Sequence, residues 1–247
     1  MRRIFLESAV IVGSILLAFG IDAGWDGIQR SSDERESLAL VGRDLRAAVE
    51  QLEEFVQFSS GASRAALRAY AALSASGPYD QEAIRDDLLR IDRRTVRLPS
   101  AAYTDLLSTG NLRVIKDRGV RDAIVRFYEM AERSQTIIDK NNTVYVDGLA
   151  WDSFYRDGLL YGHRRGEMDL PLLEAASDTV RSRLGSEFVH PPDPLWSLRP
   201  DSREWQQLQS RLLMVGRSQA VGELLANELI REARILDTMI QEALSDR

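Results

Sequence analysis

An apolar run at residues 4–21, entered from Arg2 and Arg3 and left through Asp22, Trp25 and Asp26, constrains this chain more than any other feature. It is eighteen residues long, and only Glu7, Ser8 and Ser14 interrupt it. A helix rising about 1.5 Å per residue carries it roughly 27 Å, close to the hydrocarbon thickness of a bilayer. Glu7 lies four residues after Arg3, on the same helix face, so the two can pair at the headgroup boundary. Basic residues stay on the cytoplasmic side, so Arg2 and Arg3 set the N-terminus inside and the bulk of the chain outside. Trp25 suits the far interface, where a ring with an apolar body and a polar N–H is stable. Residues 1–25 therefore read as an anchor in the bacterial inner membrane, and 26–247 as a periplasmic domain.

The same residues admit a second reading, a cleaved signal peptide. The strictly apolar part, 9–20, is short enough for one, and Ala18-Phe19-Gly20 or Ile21-Asp22-Ala23 could be its small-residue cleavage site. Glu7 weighs against that reading. As an anchor the segment has a face of small residues. At about 100° per residue Ala9, Gly13, Gly20 and Gly24 fall within roughly 60° of one another. Such a stripe lets helix backbones approach closely in lipid, where dispersion packing holds helices together. Glycine and alanine are also simply common in membrane helices. The partners implied are the lipid bilayer and other membrane protein subunits or a second copy.

Beyond the anchor, hydrophobic residues at 44% of the chain suffice for a packed core. Cysteine is absent, which excludes disulfides and thiolate metal sites. A net charge of −6 argues against a nucleic-acid partner. Lysine occurs only at Lys116 and Lys140, so nearly all the basic residues are arginine. A GC-rich bacterial genome explains that bias without any arginine chemistry.

Three segments carry long helical periodicity. In the first, 33–73, Leu38, Val41, Leu45, Ala48, Leu52 and Phe55 follow a 3-4-3-4 spacing, a heptad seam. Ser31 and Glu34 have capping-box spacing before it, Ser60-Gly61 is a candidate bend, and Ser76-Gly77-Pro78 ends it. The second, 118–155, opens at Asp117 and sets Val120, Ile124, Phe127, Ala131, Ile138, Tyr145 and Leu149 on one face. The third, 202–244, has Asp201 and Glu204 at capping spacing. Its seam runs through Trp205, Leu208, Leu212, Val215, Leu229, Leu236 and Ile240, with Gln219, Gly222 and Ala226 in the middle. That middle calls for a larger residue opposite, or for two closely approaching helices. Shorter helices are expected at 81–91 after Asp80, at 101–109 before Gly110-Asn111, and at 172–184 after Pro171, with one more turn at 111–116. No alternating strand of useful length occurs. The expected fold is all-α: an N-terminal transmembrane helix, then an elongated antiparallel bundle with three long helices.

Two stretches are irregular. Residues 158–169 contain His163-Arg164-Arg165-Gly166. Residues 190–196 are proline-dense and make a stiff crossover. This crossover is either a connector with Trp196 tucked onto the bundle, or a docking loop presenting His190, Pro192, Pro194 and Trp196 to a partner.

No catalytic signature stands out. His163 and His190 lack a metal partner at helical spacing, and HExxH, ExxH, GxSxG, P-loop and GxGxxG patterns are all missing. The pairs Glu53-Glu54 and Asp86-Asp87 diverge by about 100° on a helix and read as solvated surface. Arg93-Arg94 and Arg164-Arg165 are candidates for an anion, but solvated arginines are the commoner case. The turn at Thr109-Gly110-Asn111 reads as punctuation: Gly110 takes positive φ to end one helix and Asp117 caps the next. No catalytic residue, cofactor or metal ligand is assigned.

Residues 7–25, ESAVIVGSILLAFGIDAGW, and 103–129, YTDLLSTGNLRVIKDRGVRDAIVRFYE, together resemble a broad group of uncharacterised bacterial single-pass membrane proteins. In that group an acid precedes a VG-x-LLA-type helix followed by a tryptophan. Further on, an L-x-S-x-G-N-L-x-x-I-x-D turn leads into a helix with paired aromatics. The second motif is matched by Leu107, Ser108, Gly110, Asn111, Leu112, Ile115 and Asp117, with Phe127 and Tyr128. The resemblance covers about a fifth of the chain and implies topology without an activity. A non-enzymatic accessory or scaffold subunit of a larger membrane complex is the expectation. The alternatives are an extracytoplasmic small-ligand sensor signalling through a partner, and an enzyme with an unrecognised site.

Overall fold

Every regular element among the described residues is helical, and none is a strand. The computed structural model describes residues 2–160, 182–183 and 193–245. Over 2–30 it describes the backbone helix and the side chains of Leu17, Trp25, Ile28 and Gln29, and at Tyr155 the backbone alone. The elements are α1 (Arg2–Ser74), α2 (Gln81–Leu89), α3 (Ala101–Ser108), a 3₁₀ turn (Asn111–Val114), α4 (Arg118–Asn141), a second 3₁₀ turn (Pro194–Ser197) and α5 (Arg203–Ser245). Past Asn141 the helix of α4 continues as two π-helical stretches, Asn142–Val146 and Ala150–Arg156, on either side of one α turn, Asp147–Leu149. The helix expected at 172–184 lies outside the described residues, apart from helical Ser182 and Arg183.

The chain forms two compact units: Met1–Ala48 with Pro99–Glu129 and Glu232–Arg247, and Val49–Leu98 with Met130–Arg231. In the first, the heptad seam of α1 buries Leu38, Val41 and Leu45. Val120, Ile124 and Phe127 of α4 and Leu236 and Ile240 of α5 are buried in the same unit. Tyr103 of α3 stacks on Tyr128 of α4 with ring centroids 4.3 Å apart and planes 5° from parallel.

The expected helix start at Ser31 does not occur. α1 runs through it unbroken, and Glu34 has a different task. Its carboxylate is buried and accepts the backbone N–H of Lys116 at 2.6 Å, in the segment just before α4. Its other oxygen faces Lys116 Nζ at 3.6 Å. A carboxylate drawn to a distant N–H cannot reach back to cap its own helix. The expected bend at Ser60-Gly61 is absent too, because no proline or inserted group opens the ladder there.

In the second unit, Ala66, Ala69 and Leu73 of α1 share a core with Ile84 and Leu88 of α2, Val146, Leu149 and Phe154, and Trp205, Leu208, Leu212 and Val215 of α5. Here α1 and α5 run antiparallel, and they are in direct contact along the small-residue middle of α5. Ser63 Oγ donates to the carbonyl of Gly216 at 2.8 Å, and Ser59 Oγ to Gln219 Oε1 at 3.1 Å. Phe55 lies over Gly222, where a Cβ would sit 3.4 Å from the ring. Both expected solutions for this gap are therefore used: a larger residue opposite, and close helix approach. At its end, α1 has the Leu73 carbonyl bonded by Trp205 Nε1 at 3.3 Å and by Gln209 Nε2 at 2.8 Å, which satisfies an acceptor that helix geometry leaves open.

Beyond Ser31, the caps follow the sequence with one exception. Asp80 Oδ1 accepts from Ala83 N at 3.1 Å, and Asp117 Oδ1 from Val120 N at 3.0 Å. Gly110 takes φ +70° between α3 and the 3₁₀ turn. At α5, however, Ser202 Oγ accepts from Trp205 N at 3.2 Å, while Asp201 is engaged by Arg199 through two bonds. Asp201 stands one residue too early to cap.

The π-helical stretches rotate the seam of the second segment. Val120, Ile124, Phe127, Ala131, Ile138 and Leu149 are buried as expected, but Tyr145 is exposed and Val146 takes its place. A π-turn holds more residues than an α-turn, so the face pointing inward slips by one position.

Candidate functional site

The membrane-facing candidates all belong to α1. Arg2, Arg3, Ala9, Gly13, Gly20 and Gly24 lie on one uninterrupted helix that continues into both units. Leu17, Trp25 and Ile28 are 67%, 68% and 69% exposed among the described residues. Among the described residues no helix is long and apolar enough to cross a membrane. Of the apolar run 4–21, only Leu17 has a described side chain.

His190 and Pro192 of the proline-dense crossover, with His163 and Arg164-Arg165, lie outside the described residues. The remainder of the crossover is pinned. Leu195 is fully buried and its N–H donates to Leu159 O at 3.0 Å. Trp196 is half-buried against the core, and Pro194 opens the 3₁₀ turn between them and Asp193. Buried Asp193 accepts from Arg85 of α2 at 2.8 Å.

Arg93 and Arg94 sit in the extended segment between α2 and α3, and both are engaged. Arg93 pairs with Asp147 at 2.7 Å, and Arg94 with Glu54 at 2.9 Å, its guanidinium 5.8 Å from the centroid of the Phe58 ring. Buried Asn142, at the start of the first π stretch, donates its amide to the Arg94 carbonyl at 2.9 Å. Asn142 of the first π stretch and Asp147 of the α turn after it thus hold this extended segment. Asp87, expected at the solvated surface, instead receives two hydrogen bonds from Arg68 and ties α2 to α1.

Beside the π stretches a cavity of about 120 Å³ is lined by Tyr145, Gly148, Asp152, Ser210, Arg211 and Met214. Arg211 holds Asp152 Oδ2 at 2.9 Å and Ser153 Oγ at 2.8 Å, and Arg156 holds Asp152 Oδ1 at 2.9 Å. Asp152 is thus bonded by arginines from two helices, which ties α5 to the π-helical stretch. Arg156 is raised above its ordinary value by its bond to Asp157 and the negative charges of Asp152 and Asp157.

No family model, curated protein or solved structure matches this chain. Its chemistry has to be read from its own residues. Among the described residues no group of three or more His, Asp or Glu side chains could hold a metal ion. The conspicuous features among the described residues are exposed apolar side chains: Leu17, Trp25 and Ile28 on α1, Val144 and Trp151 in the π stretches, and Leu224 on α5. Sequence reasoning missed the π-helical stretches and the last three of these residues. The only signal for them was a poor helix former, Gly148, beside Asn141-Asn142.

Proposed function

We propose that this chain is a non-enzymatic accessory subunit anchored in the bacterial inner membrane. Its N-terminus is cytoplasmic, its helical domain is periplasmic, and it grips a larger membrane protein complex. In this reading residues 4–21 cross the bilayer, Arg2 and Arg3 stay at the cytoplasmic face, and Trp25 rests at the far interface. The domain is an antiparallel bundle built on three long helices. One observation carries the reading: α1 runs unbroken from the apolar segment into the bundle, with Leu17, Trp25 and Ile28 exposed among the described residues. A continuous helix transmits the orientation of an anchor to a domain, as a loose leader does not. It also supports retention over cleavage, since both candidate cleavage sites fall inside it. Ala9, Gly13, Gly20 and Gly24 are the docking stripe within lipid, and exposed Val144 and Leu224 are available to a neighbour outside it. The resemblance to bacterial single-pass membrane proteins points the same way.

The test is affinity purification from membranes in mild detergent, with mass and stoichiometry measured on the product. A stoichiometric partner, lost in a Gly13→Leu/Gly20→Leu variant that still inserts, is the expected result. A solitary monomer contradicts the reading.

A further inference from the structure

We propose that a groove on the second unit, between α1 and the end of α2, is a binding site for a small phosphate-type oxyanion. The groove has a volume of about 360 Å³, and its walls carry Phe58, Gly61, Arg64, Arg68 and Arg90, with the amide of Gln57. That is within the size of sites that hold small ligands. No acidic side chain lines it, although the whole chain carries a net charge of −6. Three guanidinium groups facing one groove are therefore a local inversion of the protein's charge.

Their bonding separates structural arginine from available arginine. Arg68 is committed: its Nε donates to Asp87 Oδ2 at 3.0 Å and its Nη2 to Asp87 Oδ1, so Asp87 neutralises it. Among the described residues Arg64 donates only to a neutral acceptor, Ser60 Oγ, at 2.7 Å. The Arg90 side chain has no hydrogen-bond or carboxylate partner among the described residues. Nearby Arg94 is held by Glu54 and packs its guanidinium toward the Phe58 ring. Among the described residues two uncompensated charges remain, Arg64 and Arg90, reaching the groove from different elements. Two positive charges match a dianion. Guanidinium forks match the geometry of phosphate oxygens, to which they bond in pairs. The Phe58 face keeps water from one side and so strengthens those bonds. At Gly61 an added Cβ would meet nothing within 4 Å, so open space adjoins the backbone there. The inference goes beyond the anchored-subunit reading and stands whether or not the chain is membrane-bound.

The experiment is calorimetric titration of the full chain, in mild detergent at about pH 8 where phosphate is a dianion, with inorganic phosphate against chloride at constant ionic strength. Arg64→Gln and Arg90→Gln are the test variants, and Arg118→Gln on α4, outside the groove, is the control. All three side chains are exposed, so circular dichroism should show unchanged folding. Expected is saturable one-to-one phosphate binding that weakens about tenfold or more in each groove variant and is unchanged in Arg118→Gln. No saturable binding at constant ionic strength, binding indifferent to Arg64→Gln and Arg90→Gln, or equal loss in Arg118→Gln overturns the proposal.

Discussion

Ser63 of α1 donates its hydroxyl to the backbone carbonyl of Gly216 in α5, 153 residues away, across 2.8 Å. The helices can lie this close because position 216 has no side chain. A Cβ there would stand 2.7 Å from Leu67 Cγ, inside the closest approach of two carbons. Gly216→Ala should therefore destabilise the fold by about 1–3 kcal/mol in urea unfolding, as overpacking does. Leu67 is 40% exposed, so Leu67→Ala alone should cost little, and the double variant Leu67→Ala/Gly216→Ala should recover most of the loss. Additive costs in that cycle would show that the Leu67 contact is not what requires glycine.

Tyr128 gives a pH signature. Its ring is buried and stacked on Tyr103, and its hydroxyl has no hydrogen-bond partner among the described residues. Burial first, then the negative charge of Asp44 and the neighbouring Tyr103, push its pKa well above the ordinary 10.0. A raised pKa in the folded state means the folded form holds its proton more tightly than the unfolded form. The resulting stability is complete below about pH 10 and is lost as pH rises further, because the unfolded phenol ionises first. Tyr128→Phe should leave stability near pH 7 unchanged within about 0.5 kcal/mol and flatten the alkaline loss. A variant that unfolds at the same alkaline pH as the parent would assign that loss to other groups.

Glu34 and Lys116 should differ sharply when removed. Glu34→Ala takes the acceptor from a backbone N–H before α4 and should cost about 1–3 kcal/mol. Lys116→Ala leaves that N–H bond in place and removes only an exposed ammonium at 3.6 Å, which should cost under about 0.5 kcal/mol. Equal losses would mean the ion pair, not the N–H bond, holds this join.

The cap of α5 offers a contrast between neighbours. Ser202→Ala should lower stability by about 1 kcal/mol, because Trp205 N loses its acceptor. Asp201→Ala should change it by less than about 0.5 kcal/mol, since among the described residues Asp201 bonds only exposed Arg199. The reverse order would restore the cap that spacing alone suggests.

The seams were readable in the sequence because they rest on helical period alone. Leu38, Val41, Leu45, Ala48, Leu52 and Phe55 are all buried, and Gln219, Gly222 and Ala226 do lie where α1 and α5 approach. Period fails where the helix changes type, which is why Tyr145 was placed inward and Val146 takes its position. Capping spacing misled at Ser31 and Asp201 because a local pattern cannot show that Glu34 is claimed by Lys116 or Asp201 by Arg199. The arginine groove was half visible. Arg64 and Arg68 stand four apart on one helix face, but Arg90 joins them only through the fold. The anchor face of Ala9, Gly13, Gly20 and Gly24 remains a statement about sequence and helix geometry.

Membrane retention of the intact chain tests the central claim most directly. Bacterial membranes carrying the full chain are washed at alkaline pH, and the N-terminus of the recovered protein is sequenced beside a version lacking residues 1–25. The account predicts that the full chain stays in the pellet with its N-terminal segment attached, while the shortened version appears in the soluble fraction. A full-length chain released by the wash, or a mature N-terminus at Ile21 or Gly24, would contradict it.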